Sequence, residues 1–222
     1  MTRVKVCGLT TEADLETVVD AGVDAVGLIC DVPVDTPREV SVDQARALVA
    51  ATPPFVTTVL VTMPSDPDHA RELVDAVGPD VLQIHGGLEP DALDRLRSTI
   101  DARLLYAVDA DDATNAAAYD DVVDALLVDT PGEDGGGGTG KTHDWERTRQ
   151  AAADLESPLI LAGGLTPDNV AGAVRAVEPF AVDAASGVEA DNGSKDPTAV
   201  QSFVDRATTA LRAVEPDSSH HP

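Results

Sequence analysis

The sequence predicts an α/β fold, a single (β/α)8 (TIM) barrel, and three observations carry that expectation. Short β-rich runs alternate eight times with longer segments of helical spacing. The length of 222 residues suits an α/β barrel folded as one domain. No linker or low-complexity boundary breaks the alternation apart from one glycine run at 135–138. An open doubly wound sheet would normally need fewer units. The barrel is expected over 1–214, with 215–222, EPDSSHHP, as a flexible tail whose two histidines read as incidental.

In the first strand, expected at Val4–Cys7, Arg3, Lys5 and Cys7 share one parity, while Val4 and Val6 face the helices. Cys7 then stands at the mouth, where barrel-end residues tend to be catalytic. Lys5, one inward step below, would favour a thiolate, and Gly8 would clear space beside the sulfur. The competing reading is an inert, buried thiol. Thr11, followed by Glu12 and Asp14, opens a helix near 11–21.

The second strand, Ala25–Cys30, runs into DVPVDTPREV, whose Thr36-Pro37-Arg38 turn carries an arginine at the rim. Arg38 is either a solvated charge or a bidentate partner for a carboxylate or phosphate. Cys30 lacks any such setting and reads as structural. Ser41 starts a helix at 42–51, a third strand is expected at Phe55–Val61, and a helix follows at 67–77. The fourth strand, Val81–His85, turns Gln83 and His85 inward ahead of Gly86-Gly87. This polar pair fits either a binding site or a hydrogen-bonded core.

Helix 89–99, a fifth strand at Leu104–Ala107 and helix 111–119 lead to the sixth strand, Ala125–Asp129. There Ala125, Leu127 and Asp129 face inward. A carboxylate facing Cys7 across the mouth would make an acid/base pair, unless it only caps the following turn. A helix at 144–154 precedes the seventh strand, Leu159–Ala162, and a helix at 167–176 precedes the eighth, Phe180–Asp183, with a last helix at 197–213. The loops after these two strands carry Gly163-Gly164 and Ser186-Gly187, a setting in which many such barrels hold phosphate. Gly135 to Thr142 also satisfies G-x-x-x-x-G-K-[ST], a phosphate-cradling nucleotidase loop. However, the six residues Asp129 to Asp134 separate it from the strand, and no clear helix signal follows Lys141-Thr142.

The charge is unusual: 40 acidic against 15 basic residues give −25, and the only lysines are Lys5, Lys141 and Lys195. Such a surface repels nucleic acid and anionic membranes, and 3% aromatics offer few platforms for bases. The acid excess reads as adaptation to a salt-rich cytoplasm, in which self-repulsion is screened. Dialysis to millimolar salt is therefore expected to abolish the circular dichroism signal; an unchanged spectrum would refute that adaptation. Two cysteines are too few for a disulfide scaffold. With no signal peptide and no run of 18 apolar residues, the expected address is the cytoplasm.

With these residues assembled, the chain resembles the phosphoribosylanthranilate isomerases of tryptophan biosynthesis. The matching stretches are KVCGLT at 5–10, TPREV at 36–40, LQIHG at 82–86, LLVDT at 126–130, GGTGKTHDW at 137–145, ILAGGLTPDNV at 160–170 and VDAASGVE at 182–189, with SKD at 194–196. They run in family order along nearly the whole chain. The resemblance implies an Amadori rearrangement of an anthranilate phosphoribosyl amine, with no cofactor and no metal. It makes Asp129 the general acid at the ribose ring oxygen and Cys7 the general base at C2. Arg38 would hold the anthranilate carboxylate, Asp183 would lie near the sugar, and His85 joins the substrate-binding set by its inward position. Backbone N–H groups around Gly163, Gly164, Ser186 and Gly187 would bind the phosphate of this small phosphorylated substrate. The chain departs from the family in a second-strand loop without aromatics, in His143 where phenylalanine is usual, and in Ala184-Ala185 where Val-Ser is usual. Two rivals are an isomerase of another phosphoribosyl amine, for which an aspartate pair is expected, and a non-catalytic phosphate-sugar binder. Oligomeric state stays open, because an apolar stripe for a second subunit is indistinguishable from helix faces that pack on the barrel.

Overall fold

In the computed structural model, residues 1–109, 116–129, 145–153 and 155–211 are described. Eight parallel strands follow one another around a closed barrel, the last pairing with the first. They are β1 (Arg3–Cys7), β2 (Ala25–Ile29), β3 (Thr57–Thr62), β4 (Val81–His85), β5 (Arg103–Asp109), β6 (Ala125–Asp129), β7 (Leu159–Leu161) and β8 (Ala181–Ala184). Seven α-helices lie among the described residues: α1 (Glu12–Asp20), α2 (Val42–Ala51), α3 (Pro67–Val77), α4 (Pro90–Arg97), α5 (Trp145–Ala152), α6 (Val170–Val177) and α7 (Pro197–Thr209).

Local chemistry starts several of these helices. Thr11 accepts from Asp14 N and Asp14 answers at the Thr11 backbone, so α1 opens with a capping box. Ser41, Asp66 and Asp196 cap α2, α3 and α7 through their side chains, and Pro67 and Pro197 occupy the first turns of the last two. Strand parity then separates two cores. Val4, Val6, Val26, Leu28, Leu60, Leu82, Ile84, Leu104, Leu126, Leu161 and Val182 pack outward against the helices. Leu105, Ala107, Leu127, Ile160, Ala162 and Ala181 fill the barrel interior, with Cys7, Val59 and Val61 in a cluster of their own.

Several boundaries differ from expectation. Phe55, placed in the third strand by its β propensity, stands wholly exposed at φ 75°, and the strand begins two residues later. Phe180 lies just before β8, its ring beneath the Arg3 guanidinium at 4.2 Å and its backbone bonded to Arg3 N and the Leu159 carbonyl oxygen. Helix α6 starts at Val170 and not at the expected 167, because Asn169 Oδ1 accepts from Thr166 N and holds that stretch as a turn. Of the helix expected at 111–119, residues 111–115 lie outside the described set, and 116–118 form a 3-10 turn. The tail at 215–222, the glycine loop Gly135–Thr142 with Lys141, and His143 also lie outside it. Among the described residues, no helix is long and apolar enough to cross a membrane.

Candidate active site

Strand parity and the loops after β2, β7 and β8 bring the nine residues singled out from the sequence into one pocket over the carboxyl ends of the strands. Cys7, Arg38, His85, Asp129, Gly163, Gly164, Asp183, Ser186 and Gly187 all line it. Its remaining wall is mainly aliphatic, with Ile29, Val32, Val34, Val61 and Met63 on the side of Arg38.

Cys7 ends β1 in register with Gly27 of β2. A Cβ on Gly27 would stand 2.7 Å from the Cys7 Sγ, so it is Gly27 that makes room for the thiol. Gly8, expected in that role, does something else: at φ 77° it faces Arg38, and a Cβ there would lie 2.7 Å from Cδ. The reason is geometric, since laterally paired residues of adjacent strands point the same way and the residue after Cys7 does not.

Below Cys7, Lys5 Nζ donates to Asp183 Oδ2 at 2.6 Å, with both side chains buried. Burial alone would discharge Lys5, but the Asp183 carboxylate holds its pKa above the ordinary lysine value. The thiolate expected from the sequence does not follow. Burial pushes the Cys7 thiol above its ordinary value, and Lys5, committed to Asp183, offsets this only in part. In the ligand-free pocket Cys7 is therefore a thiol. Burial likewise depresses the pKa of His85, and Lys5 adds to that, leaving a neutral imidazole with one donor and one acceptor nitrogen. Cys30 is as inert as expected, its thiol pushed up to about 11 by burial with Asp31 and Glu39 nearby.

Two buried acceptors in this pocket, Asp183 Oδ1 and Gln83 Oε1, have no hydrogen-bond partner among the described residues. An unmade bond of this kind costs about 1–3 kcal/mol, so the pair marks where hydroxyl or N–H groups of a ligand fit. The inward parity of Gln83 was legible in the sequence, but its lack of a partner was not. Asp129 closes β6 in register with Asp109 of β5.

Arg38 is not the free fork the sequence suggested. Its Nε and Nη2 each donate at 2.8 Å to Glu189, leaving Nη1 and the second Nη2 hydrogen for a ligand. Glu189 was missed as a functional residue, although it closes the VDAASGVE stretch. On the opposite wall, a Cβ on Gly187 would fall 1.9 Å from the Leu165 carbonyl oxygen, so only glycine lets the loops after β7 and β8 meet. Among the described residues, no hydrogen bond is seen from the N–H groups of Gly163 or Gly164, and no group of three or more His, Cys, Asp or Glu side chains could hold a metal ion.

The family model for N-(5'-phosphoribosyl)anthranilate (PRA) isomerase matches residues 4–206. The chain belongs to the phosphoribosylanthranilate isomerase family. The N-(5'-phosphoribosyl)anthranilate isomerase of Haloferax volcanii is 60% identical over 215 residues, 97% of each chain. The crystal structure of the Thermotoga maritima phosphoribosyl anthranilate isomerase superposes with a TM-score of 0.83 at 34% identity, covering 94% of this chain and 99% of that one. A further solved isomerase, in complex with reduced 1-(o-carboxyphenylamino)-1-deoxyribulose 5-phosphate, has a TM-score of 0.77 at 31% identity and covers 94% and 99%. Similarity to haloarchaeal members of the isomerase family agrees with the reading of the −25 net charge as a salt adaptation.

Proposed function

We propose that Cys7 and Asp129 are the general base and general acid of the isomerase reaction. The chain is an enzyme of tryptophan biosynthesis, an aldose–ketose isomerase. It converts N-(5-phosphoribosyl)anthranilate to 1-(2-carboxyphenylamino)-1-deoxyribulose 5-phosphate by an Amadori rearrangement. The observation that carries the assignment is the meeting of Cys7 from β1 and Asp129 from β6 in one pocket that also holds an arginine and two glycine-bearing loops.

Asp129 gives a proton to the ribose ring oxygen, the bond from that oxygen to C1 breaks, and the nitrogen lone pair forms a cationic imine. That charge acidifies the C2–H bond and stabilises a thiolate beside it, which solves the problem posed by the raised Cys7 pKa. Cys7 then takes the C2 proton, and the resulting enolamine tautomerises to the ketone. Asp183 Oδ1 and Gln83 Oε1 are the acceptors available to sugar hydroxyls. Neutral His85 binds alongside them, and the backbone around Gly163, Gly164, Ser186 and Gly187 takes the phosphate. The free edge of Arg38 receives the anthranilate carboxylate, with the aliphatic wall beside the ring. A reducing cytoplasm suits the two free thiols and the phosphorylated substrate.

The test is the fluorescence decay of freshly generated phosphoribosylanthranilate with purified protein in molar potassium chloride. Rapid consumption is expected, and no consumption by folded protein would sink the assignment. In the same assay Arg38→Ala should raise KM by about 10–100-fold, the worth of charge-assisted bonds, with kcat little changed. A pure kcat effect would contradict the anchoring role.

A further inference from the structure

This inference rests on the reading of Arg38 as the carboxylate anchor. Arg38 belongs to a buried relay of charges that continues beyond Glu189. The side chain of Lys195 is fully buried, and its Nζ donates to Glu189 Oε1 at 2.7 Å and to the Ala185 carbonyl oxygen at 3.3 Å. Its backbone N–H donates to Asp14 Oδ1 at 2.9 Å, while Asp14 Oδ2 accepts from the backbone of Thr10 and Thr11 in the loop after Cys7. A short antiparallel bridge pairs Glu189 with Lys195 and folds 189–195 back on itself. Burial would lift the Glu189 carboxyl, but Arg38 and Lys195 together hold it below the ordinary range, so it carries a full charge between two cations. In a chain with three lysines, burying one completely away from water is costly unless it is paired, as it is here.

We propose that Lys195 is a positioning residue that aims Arg38 at the substrate carboxylate through Glu189, while its bond to Ala185 ties that anchor to the turn at Ser186–Val188 that takes the phosphate. Glu189 alone could follow Arg38 into several rotamers. Held by Lys195 from behind, it presents its two oxygens in one orientation, and the guanidinium plane is set with them. The two ends of the substrate are thereby gripped by parts of one rigid network, which fixes the distance between carboxylate and phosphate.

The experiment is a double-mutant cycle read in KM and kcat on Lys195→Met, Arg38→Ala and the double variant, in molar salt. Lys195→Met is expected to raise KM by about tenfold with a much smaller change in kcat, and the double variant should have a KM no higher than Arg38→Ala alone. KM effects that multiply in the double variant, or a Lys195→Met protein with unchanged KM and only a lower Tm, would overturn the positioning role while leaving Arg38 as anchor. An Arg38→Ala variant with unchanged KM would remove the anchor reading itself, and this inference with it. If Lys195→Met does not fold, Glu189→Gln takes its place in the cycle, with the same outcomes decisive.

Discussion

Asp129→Asn is expected to lower kcat by about 10²–10⁴-fold with the barrel intact, the usual worth of a positioned general acid. An amide keeps the size of the carboxyl at the end of β6 but has no proton to give the ring oxygen. The pH profile then identifies the other partner. The wild type needs one group protonated and one deprotonated, and the population of that pair does not vary with pH between the two ionisations. With Asp129 removed, the thiol is the one catalytic group of the pair left to titrate. The residual kcat/KM of Asp129→Asn should therefore climb by about tenfold per pH unit. Because burial raises the Cys7 thiol, the climb should continue past 9.0, its ordinary value. Near-wild-type turnover would take Asp129 out of the mechanism, and a flat profile in the variant would take Cys7 out of the base role.

Cys7→Ala should lose kcat to a similar extent, about 10²–10⁴-fold, because no other described group on that strand can take the C2 proton. The substitution is mild for the fold. It removes one sulfur from the pocket wall beside Gly27 and adds no bulk, so Tm should move little. Binding of the reduced product analogue, measured by fluorescence titration, should survive within a few-fold. Loss of both binding and turnover would mean that Cys7 holds the pocket's shape instead of acting on the substrate.

The barrel was legible because each of its units obeys a local rule. Thr11 and Asp14, Ser41, and Asp196 before Pro197 start helices through bonds that span at most a few residues. The parity of Val4 and Val6 against Lys5 and Cys7 sorts a strand into a face toward the helices and a face toward the barrel axis. Where an expected boundary missed, a specific polar contact decided it instead of the apolar pattern: the bond from Thr166 N to Asn169 holds back the start of α6, and Phe180 lies against Arg3 just ahead of β8.

The candidate site divides along the same line. The alternation of side chains along β1, β4 and β6 pointed Cys7, His85 and Asp129 into one pocket from sequence alone, the family resemblance added Asp183, and the glycines after β7 and β8 marked the wall at which phosphate binding is proposed. Parity and loop position are properties of a stretch of five or six residues. Only the tertiary structure decided the state and aim of those groups. Asp183, 178 residues from Lys5, claims the ammonium that was expected to favour a thiolate, and Glu189, 151 residues from Arg38, takes one edge of the guanidinium. Gly27 and not Gly8 houses the sulfur, and Gln83 is left with a buried oxygen that no described residue satisfies. The protonation of a buried group depends on every charge and every displaced water around it, and those neighbours come from all eight strands.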